Sequence, residues 1–213
     1  MVDVPSVPNA RPYRGVDAAD RLAARRNRLL SAGLDLLGAE PAEVTELTVR
    51  AVCGRAGVAP RYFYESFTDK DRFIGAIFDQ VISELATTTQ AAVAAAAPHA
   101  ETRAGMNNIV RTIVGDARVG RLLFGTHLAN PVVLAKRAES GALFAMLSGQ
   151  YAGSALHMPE NDRIKAAAHF VVGGVGQTIS AWLAGVVQLD PGALVDHLTS
   201  LLDALGDPAL YRD

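Results

Sequence analysis

Between Thr48 and Lys70 the chain gathers side chains that can hold an anion or meet a row of hydrogen-bond acceptors: Thr48, Arg50, Arg55, Arg61, Tyr62, Tyr64 and Lys70. A guanidinium offers parallel donors in a fixed fork, and an ammonium offers a compact positive charge. A second basic run, Arg21, Arg25, Arg26 and Arg28, has no acid among it. A solvated helix face explains that second run equally well. The chain carries a formal net charge of −2, so any contact with a polyanion is confined to these local patches.

No other chemistry is gathered in this way. His99, His127, His157, His169 and His197 form no HExxH pair, and Ser31, Ser140, Ser148 and Ser154 lie in no nucleophile elbow. Gly173, Gly174 and Gly176 have the wrong spacing for a dinucleotide fingerprint, and no strand precedes them. The expectation is a protein that is not an enzyme, with no cofactor and no metal. Cys53 is the single cysteine, which excludes an intramolecular disulfide and suits a reducing cytosol; its neighbours predict burial. The first residues lack the apolar core of a secretory signal, so the expected location is cytoplasmic.

The basic patches must be carried by helices. Hydrophobic residues make up 50% of the 213 and aromatics only 6%. Alanine and leucine are abundant and β-branched runs scarce, the kind of apolar volume that helices pack well. An all-α fold is expected, with room for two unequal domains. Residues 1–17 contain Pro5, Pro8 and Pro12 and few large apolar groups, and read as a flexible N-terminal tail in which Arg11 and Arg14 could reach a polyanion. From Ala18 to Leu37, Leu22, Leu29, Leu30, Leu34 and Leu37 recur at helical spacing with arginines opposite, and Gly38 can close the helix.

After a loop holding Pro41, Thr48 stands as an N-cap, and Val49, Val52, Cys53 and Ala56 follow at i, i+3, i+4 and i+7. This second helix ends at Gly57. Pro60 suits the first turn of a short third helix, which ends at Phe67. Thr68-Asp69-Lys70-Asp71 resembles a capping box opening a fourth helix, whose apolar stripe is Phe73, Ile74, Ile77, Phe78, Val81, Ile82 and Leu85. Phe63 and Phe67 are expected in the core, because a head this small needs large anchors.

Two short helices joined by a glycine-containing turn match the helix-turn-helix, in which the second helix enters the major groove while the first crosses the backbone. An ordinary corner in a helical bundle has the same outline. The order of residues separates the two: LTVRAVCGRAGVAPRYFYESFTDKDRF, from Leu47 to Phe73, resembles the DNA-binding signature of TetR/AcrR-type transcriptional regulators. A threonine opens the second helix, Gly57-Val58 forms the turn, an aromatic-rich helix ends in Tyr64 and Phe67, and Lys70 begins the fourth helix.

The resemblance covers about residues 22 to 85 and implies a helix-turn-helix DNA-binding domain over 18–68 and a helical ligand-binding and dimerisation domain over 69–213. It implies that Thr48, Tyr64 and Lys70 hold phosphates, with Arg50 in the same basic patch. It also implies that Ala59, Pro60, Arg61 and Tyr62 face base edges and that Arg25, Arg26 and Arg28 touch the DNA backbone. Arg61 can offer two donors to guanine O6 and N7, and Lys70 adds charge beside the N–H groups of a helix start. Pro60 and Arg61 depart from the commoner pattern of a basic or small residue followed by glycine.

Residues 103–129 and 132–153 read as two or three further helices, interrupted at Asn130-Pro131. Ala166 to Leu189 contains no charged residue, yet His169, Gln177, Thr178, Ser180 and Gln188 would lack partners in lipid, so no membrane span is expected. A helix apolar all round is expected to be buried in protein. It and a last leucine-rich helix, about 162–187 and 192–205, are expected to form a homodimer surface. The resemblance also implies that the second domain encloses a pocket for a largely apolar small-molecule effector, with candidates Met106, Asn107, Arg111, Phe124, His127, Phe144, Met146, Tyr151, Phe170, Gln177 and Trp182. The expected function is a ligand-released repressor on a roughly palindromic double-stranded operator. The alternative is a helical adaptor or ligand-binding protein without DNA binding.

Overall fold

The computed structural model describes residues 18–40, 47–155, 158–159 and 161–211. The N-terminal tail with Arg11 and Arg14, the loop around Pro41 and His157 lie outside the described residues. Among the described residues the elements are nine α-helices and one 3₁₀ turn, without a strand. They are α1 (Ala18–Leu37), α2 (Val49–Ala56), α3 (Pro60–Ser66), α4 (Lys70–Ala94), α5 (Glu101–Gly115), α6 (Ala117–Phe124), α7 (Pro131–Ala155), α8 (Asp162–Leu183), α9 (Pro191–Ala204) and the turn Pro208–Tyr211.

Local chemistry sets the ends of the first helices. The Thr48 hydroxyl accepts from the N–H of Ala51 at 3.1 Å and closes the first turn of α2, as an N-cap does. Gly57 ends α2 in the left-handed region with φ 63°, which glycine enters without the Cβ clash of other residues. Pro60 opens α3 where its missing N–H costs nothing. The fourth helix differs by one residue from the sequence reading: Asp69, not Thr68, is its N-cap and accepts from the N–H of Arg72 at 2.7 Å. A carboxylate beats a hydroxyl there because it also meets the positive end of the helix dipole, and the Thr68 hydroxyl bonds Asp69 instead.

The apolar stripes meet in one core. Leu29, Leu30, Val52, Cys53, Phe63, Phe67, Phe73, Ile74, Ile77 and Phe78 are buried together, and the cluster continues through Val119, Leu122, Leu123 and Val133 of α6 and α7. Phe63, Phe67 and Phe73 contact one another with centroids 4.9–5.6 Å apart, so the large anchors sit where their size predicts. Cys53 is buried, and burial pushes its thiol above the ordinary value. A second cluster joins Val110 and Ile113 of α5, Ile179 of α8, and Leu194, Val195 and Leu198 of α9.

Among the later helices one expectation holds and one is corrected. Residues 103–129 and 132–153 give three helices, within the two or three expected, the first segment dividing at Asp116, whose carboxylate caps α6 by accepting from the N–H of Arg118. Helix α8, uncharged from residue 166 on, is not enclosed all round by its own chain: Phe170 is 70% exposed, and a Cβ on Gly173, Gly174 or Gly176 would meet nothing within 4 Å. Among the described residues no helix is long and apolar enough to cross a membrane.

Candidate nucleic-acid interface

Helices α2 and α3 form a helix-turn-helix that packs on α1. Arg50, Ala59, Pro60, Arg61, Tyr64 and Lys70 are all exposed, and Tyr62 is half-buried. Tyr64 is 63% exposed although its ring edge packs against Phe63, 5.4 Å between centroids. Its phenol is thus held from below while it faces solvent. Because Thr48 Oγ1 accepts a hydrogen bond, its proton remains able to donate to an anion. Lys70 is the first residue of α4, where unpaired N–H groups and the helix dipole favour negative charge.

Arg61 folds back on its neighbour. Its Nη2 donates to the Tyr62 hydroxyl at 2.8 Å, and its Cζ lies 4.7 Å from the Tyr62 ring centroid. That hydrogen bond raises the Arg61 pKa above its ordinary value, with smaller help from Glu65. Arg25 reaches the same ring from α1, 4.4 Å to the centroid. Arg26 is engaged within the protein, donating to the carbonyl of Ser66 at 3.2 Å and stacking 4.4 Å above Phe67, so it braces α1 against the end of α3.

Behind this surface lies a charged junction that sequence reasoning missed. Asp35 of α1 accepts from Arg55 of α2 at 2.8 Å and also pairs with Arg118 of α6. Arg118 in turn pairs with Asp116 at 2.5 Å, and that hydrogen bond holds the Asp116 carboxyl below its usual range. Arg121 donates to the carbonyl of Gly38 at 2.5 Å and to Glu40 at 2.7 Å. A Cβ on Gly38 would stand 2.7 Å from the Arg118 Cα, so only glycine admits α6 so close. Arg137 of α7 donates to the carbonyls of Arg121 and Leu122 at the end of α6, and burial lowers its pKa.

The effector candidates are dispersed. Met106, Phe124 and Trp182 line the α5–α8–α9 cluster, and the Trp182 indole donates to the carbonyl of Leu189 at 2.8 Å. Phe144 is half-buried, whereas Arg111, His127, Met146, Tyr151, Phe170 and Gln177 are exposed. Two open clefts are formed instead. One of about 230 Å³ is lined by Val81, Glu84, Leu85, Thr88, Thr112 and Val119 from α4, α5 and α6. The other, about 220 Å³, is lined by Ala96, Ala100, Arg103, Ala104 and Asn107, so Asn107 alone of the candidates borders either. Among the described residues no group of His, Cys, Asp or Glu is placed to hold a metal ion.

No protein-family model matches the sequence, and no curated protein matches it. Solved structures do. The fatty acid degradation regulator FadR from Bacillus halodurans superposes with a TM-score of 0.68 at 15% identity, over 84% of this chain and 94% of that one. The regulator FadR from Bacillus subtilis, solved in complex with stearoyl-CoA, gives 0.64 at 15% identity, over 83% and 96%. A TetR-like transcriptional regulator from Rhodococcus sp. RHA1 gives 0.62 at 16% identity, over 90% and 98%. The chain therefore has the all-α fold of TetR-like transcriptional regulators, along nearly the full length of each.

Proposed function

We propose that the chain is a ligand-responsive transcriptional regulator that binds a roughly palindromic DNA operator as a homodimer, represses transcription there, and is released by a small molecule. The observation that supports it best is the α2–turn–α3 pair, which leaves Arg61, Tyr64 and Lys70 exposed over a buried Phe63–Phe67–Phe73 base. In this reading residues 18–68 form the DNA-binding head and 69–213 the effector and dimer domain. Thr48, Arg50, Tyr64, Lys70 and Arg25 meet phosphates, while Ala59, Pro60, Arg61 and Tyr62 face bases.

The dimer surface in this proposal is the outer face of α7 and α8. Leu143, Met146, Leu147 and Tyr151 follow one another at helical spacing and are all exposed, and Phe170 stands out from α8. The stripe Leu194, Val195 and Leu198 of α9 is spent on α5, so α9 contributes less than its sequence suggests. Exposed apolar faces of this kind mark association surfaces.

The effector would enter the cleft between α4, α5 and α6, where five apolar or hydroxyl-bearing side chains surround Glu84. At about 230 Å³ the cleft is smaller than ordinary ligand pockets, so a largely apolar ligand must part these helices to enter. Val119 lines the cleft while its neighbour Arg118 pairs with Asp35 beneath the head. Movement of α6 would therefore shift α1 and α2, and linkage requires the ligand to weaken operator binding by the same free energy by which DNA weakens ligand binding, typically about 1–3 kcal/mol. A gel-shift titration against DNA flanking the coding gene tests the reading. Sequence-specific retardation supports it, and binding no better than to an unrelated duplex sinks it.

A further inference from the structure

We propose that Tyr62 is a specificity-determining positioning residue: its phenol sets the guanidinium of Arg61 for one guanine in each operator half-site, and its ring holds Arg25 for the adjoining phosphate. The inference rests on the DNA-binding reading above. A free arginine on an exposed first turn samples many rotamers, and ordering it on binding is unfavourable. Here the ordering is done in advance. Pro60 fixes the start of α3, the Tyr62 N–H bonds the carbonyl of Ala59 at 3.0 Å, and the half-buried Tyr62 ring stands between the helix and α1. Onto that ring Arg61 lays its guanidinium with one Nη2 proton committed to the phenol oxygen at 2.8 Å. The other Nη2 proton and both Nη1 protons remain, and two parallel donors are what guanine O6 and N7 accept.

Arg25 makes the arrangement two-sided. Its Cζ is 4.4 Å from the Tyr62 centroid, while its buried Nε has no hydrogen-bond partner among the described residues. Neither Arg25 nor Arg61 makes an ion pair with a described residue. Two cations drawn to one electron-rich ring repel each other, and a phosphate beside them removes that repulsion. Base reading and backbone contact are thereby joined through one side chain, so that a shift of α1 against α3 disturbs both.

The experiment is selection from duplexes randomised over a half-site, with the intact wild-type chain, Arg61→Ala, Tyr62→Phe and Tyr62→Ala, combined with salt titrations of each. The wild type is expected to prefer guanine at one position per half-site by about tenfold or more. Arg61→Ala should abolish that preference. Tyr62→Phe, which removes only the hydroxyl, should reduce the preference several-fold with an unchanged salt slope and melting temperature. Tyr62→Ala should also flatten the salt slope by about one charge per half-site as Arg25 is released. Full guanine preference in Tyr62→Phe, or one that survives Arg61→Ala, overturns the inference while leaving the regulator reading intact. A wild type that selects no sequence overturns both.

Discussion

Asp35 is the residue on which the head and the body depend together, since it holds Arg55 of α2 and Arg118 of α6 at once. All three side chains are partly exposed, so Asp35→Asn should cost only about 1 kcal/mol of stability in a thermal or urea melt. Its effect on the ligand response should be larger, with the operator affinities of free and ligand-saturated protein drawing together; an unaltered response would remove α6 as the link. The neighbouring Asp116 predicts a pH effect. Its folded pKa lies below the unfolded value, chiefly through Arg118. Its contribution is therefore complete above the ordinary carboxylate pKa of about 4 and is lost as pH falls through the lower folded value. Melting temperatures measured from neutral to strongly acid pH should fall less steeply in Arg118→Gln than in the wild type below about pH 4. The Asp35–Arg118 pair was not legible in the sequence, because the two residues stand 83 apart and no local spacing records such a pair. The inward contacts of Arg26 were hidden for a related reason: its partners Ser66 and Phe67 lie 40 and 41 residues on, and only the packing of α1 on α3 brings them together.

Helix ends were the best-read features, because caps act within a few residues. Ala18–Leu37, the Thr48 cap, the Gly57 stop and the Pro60 start were each foreseen from residue type, and each is found. The cap on α4 slipped by one residue because Thr68 and Asp69 are both good caps and only the dipole term separates them. These ends yield a prediction of their own. Thr48→Ala should lose about 1 kcal/mol of stability with the cap and also weaken DNA binding, whereas Thr48→Ser should keep both. A denaturation curve and a binding titration on each variant would check it, and an Ala variant as stable as wild type would contradict the cap. Further along, the exposed faces of α7 and α8 could not be read from hydropathy. An uncharged run says that a helix is covered, not whether its own chain or another supplies the cover.

The core runs unbroken from α1–α3 into α6 and α7, and in the proposed regulator it would join the DNA-reading head to the effector-binding body. Such a body transmits a displacement because packed cores shift between discrete arrangements instead of deforming smoothly. Two heads are needed to read a palindrome, so light scattering at micromolar concentration should give twice the 22.4 kDa of one chain. Phe170→Asp should return it to the mass of a single chain. A wild-type protein of single-chain mass would remove the dimer. The most direct test of the account is fluorescence anisotropy of the intact protein on duplex DNA flanking its own gene, titrated from about 50 to about 200 mM salt. With Arg25, Arg50 and Lys70 on two heads neutralising about six phosphates, affinity should fall on the order of a thousandfold and exceed that for an unrelated duplex throughout. An affinity indifferent to both salt and sequence would contradict it.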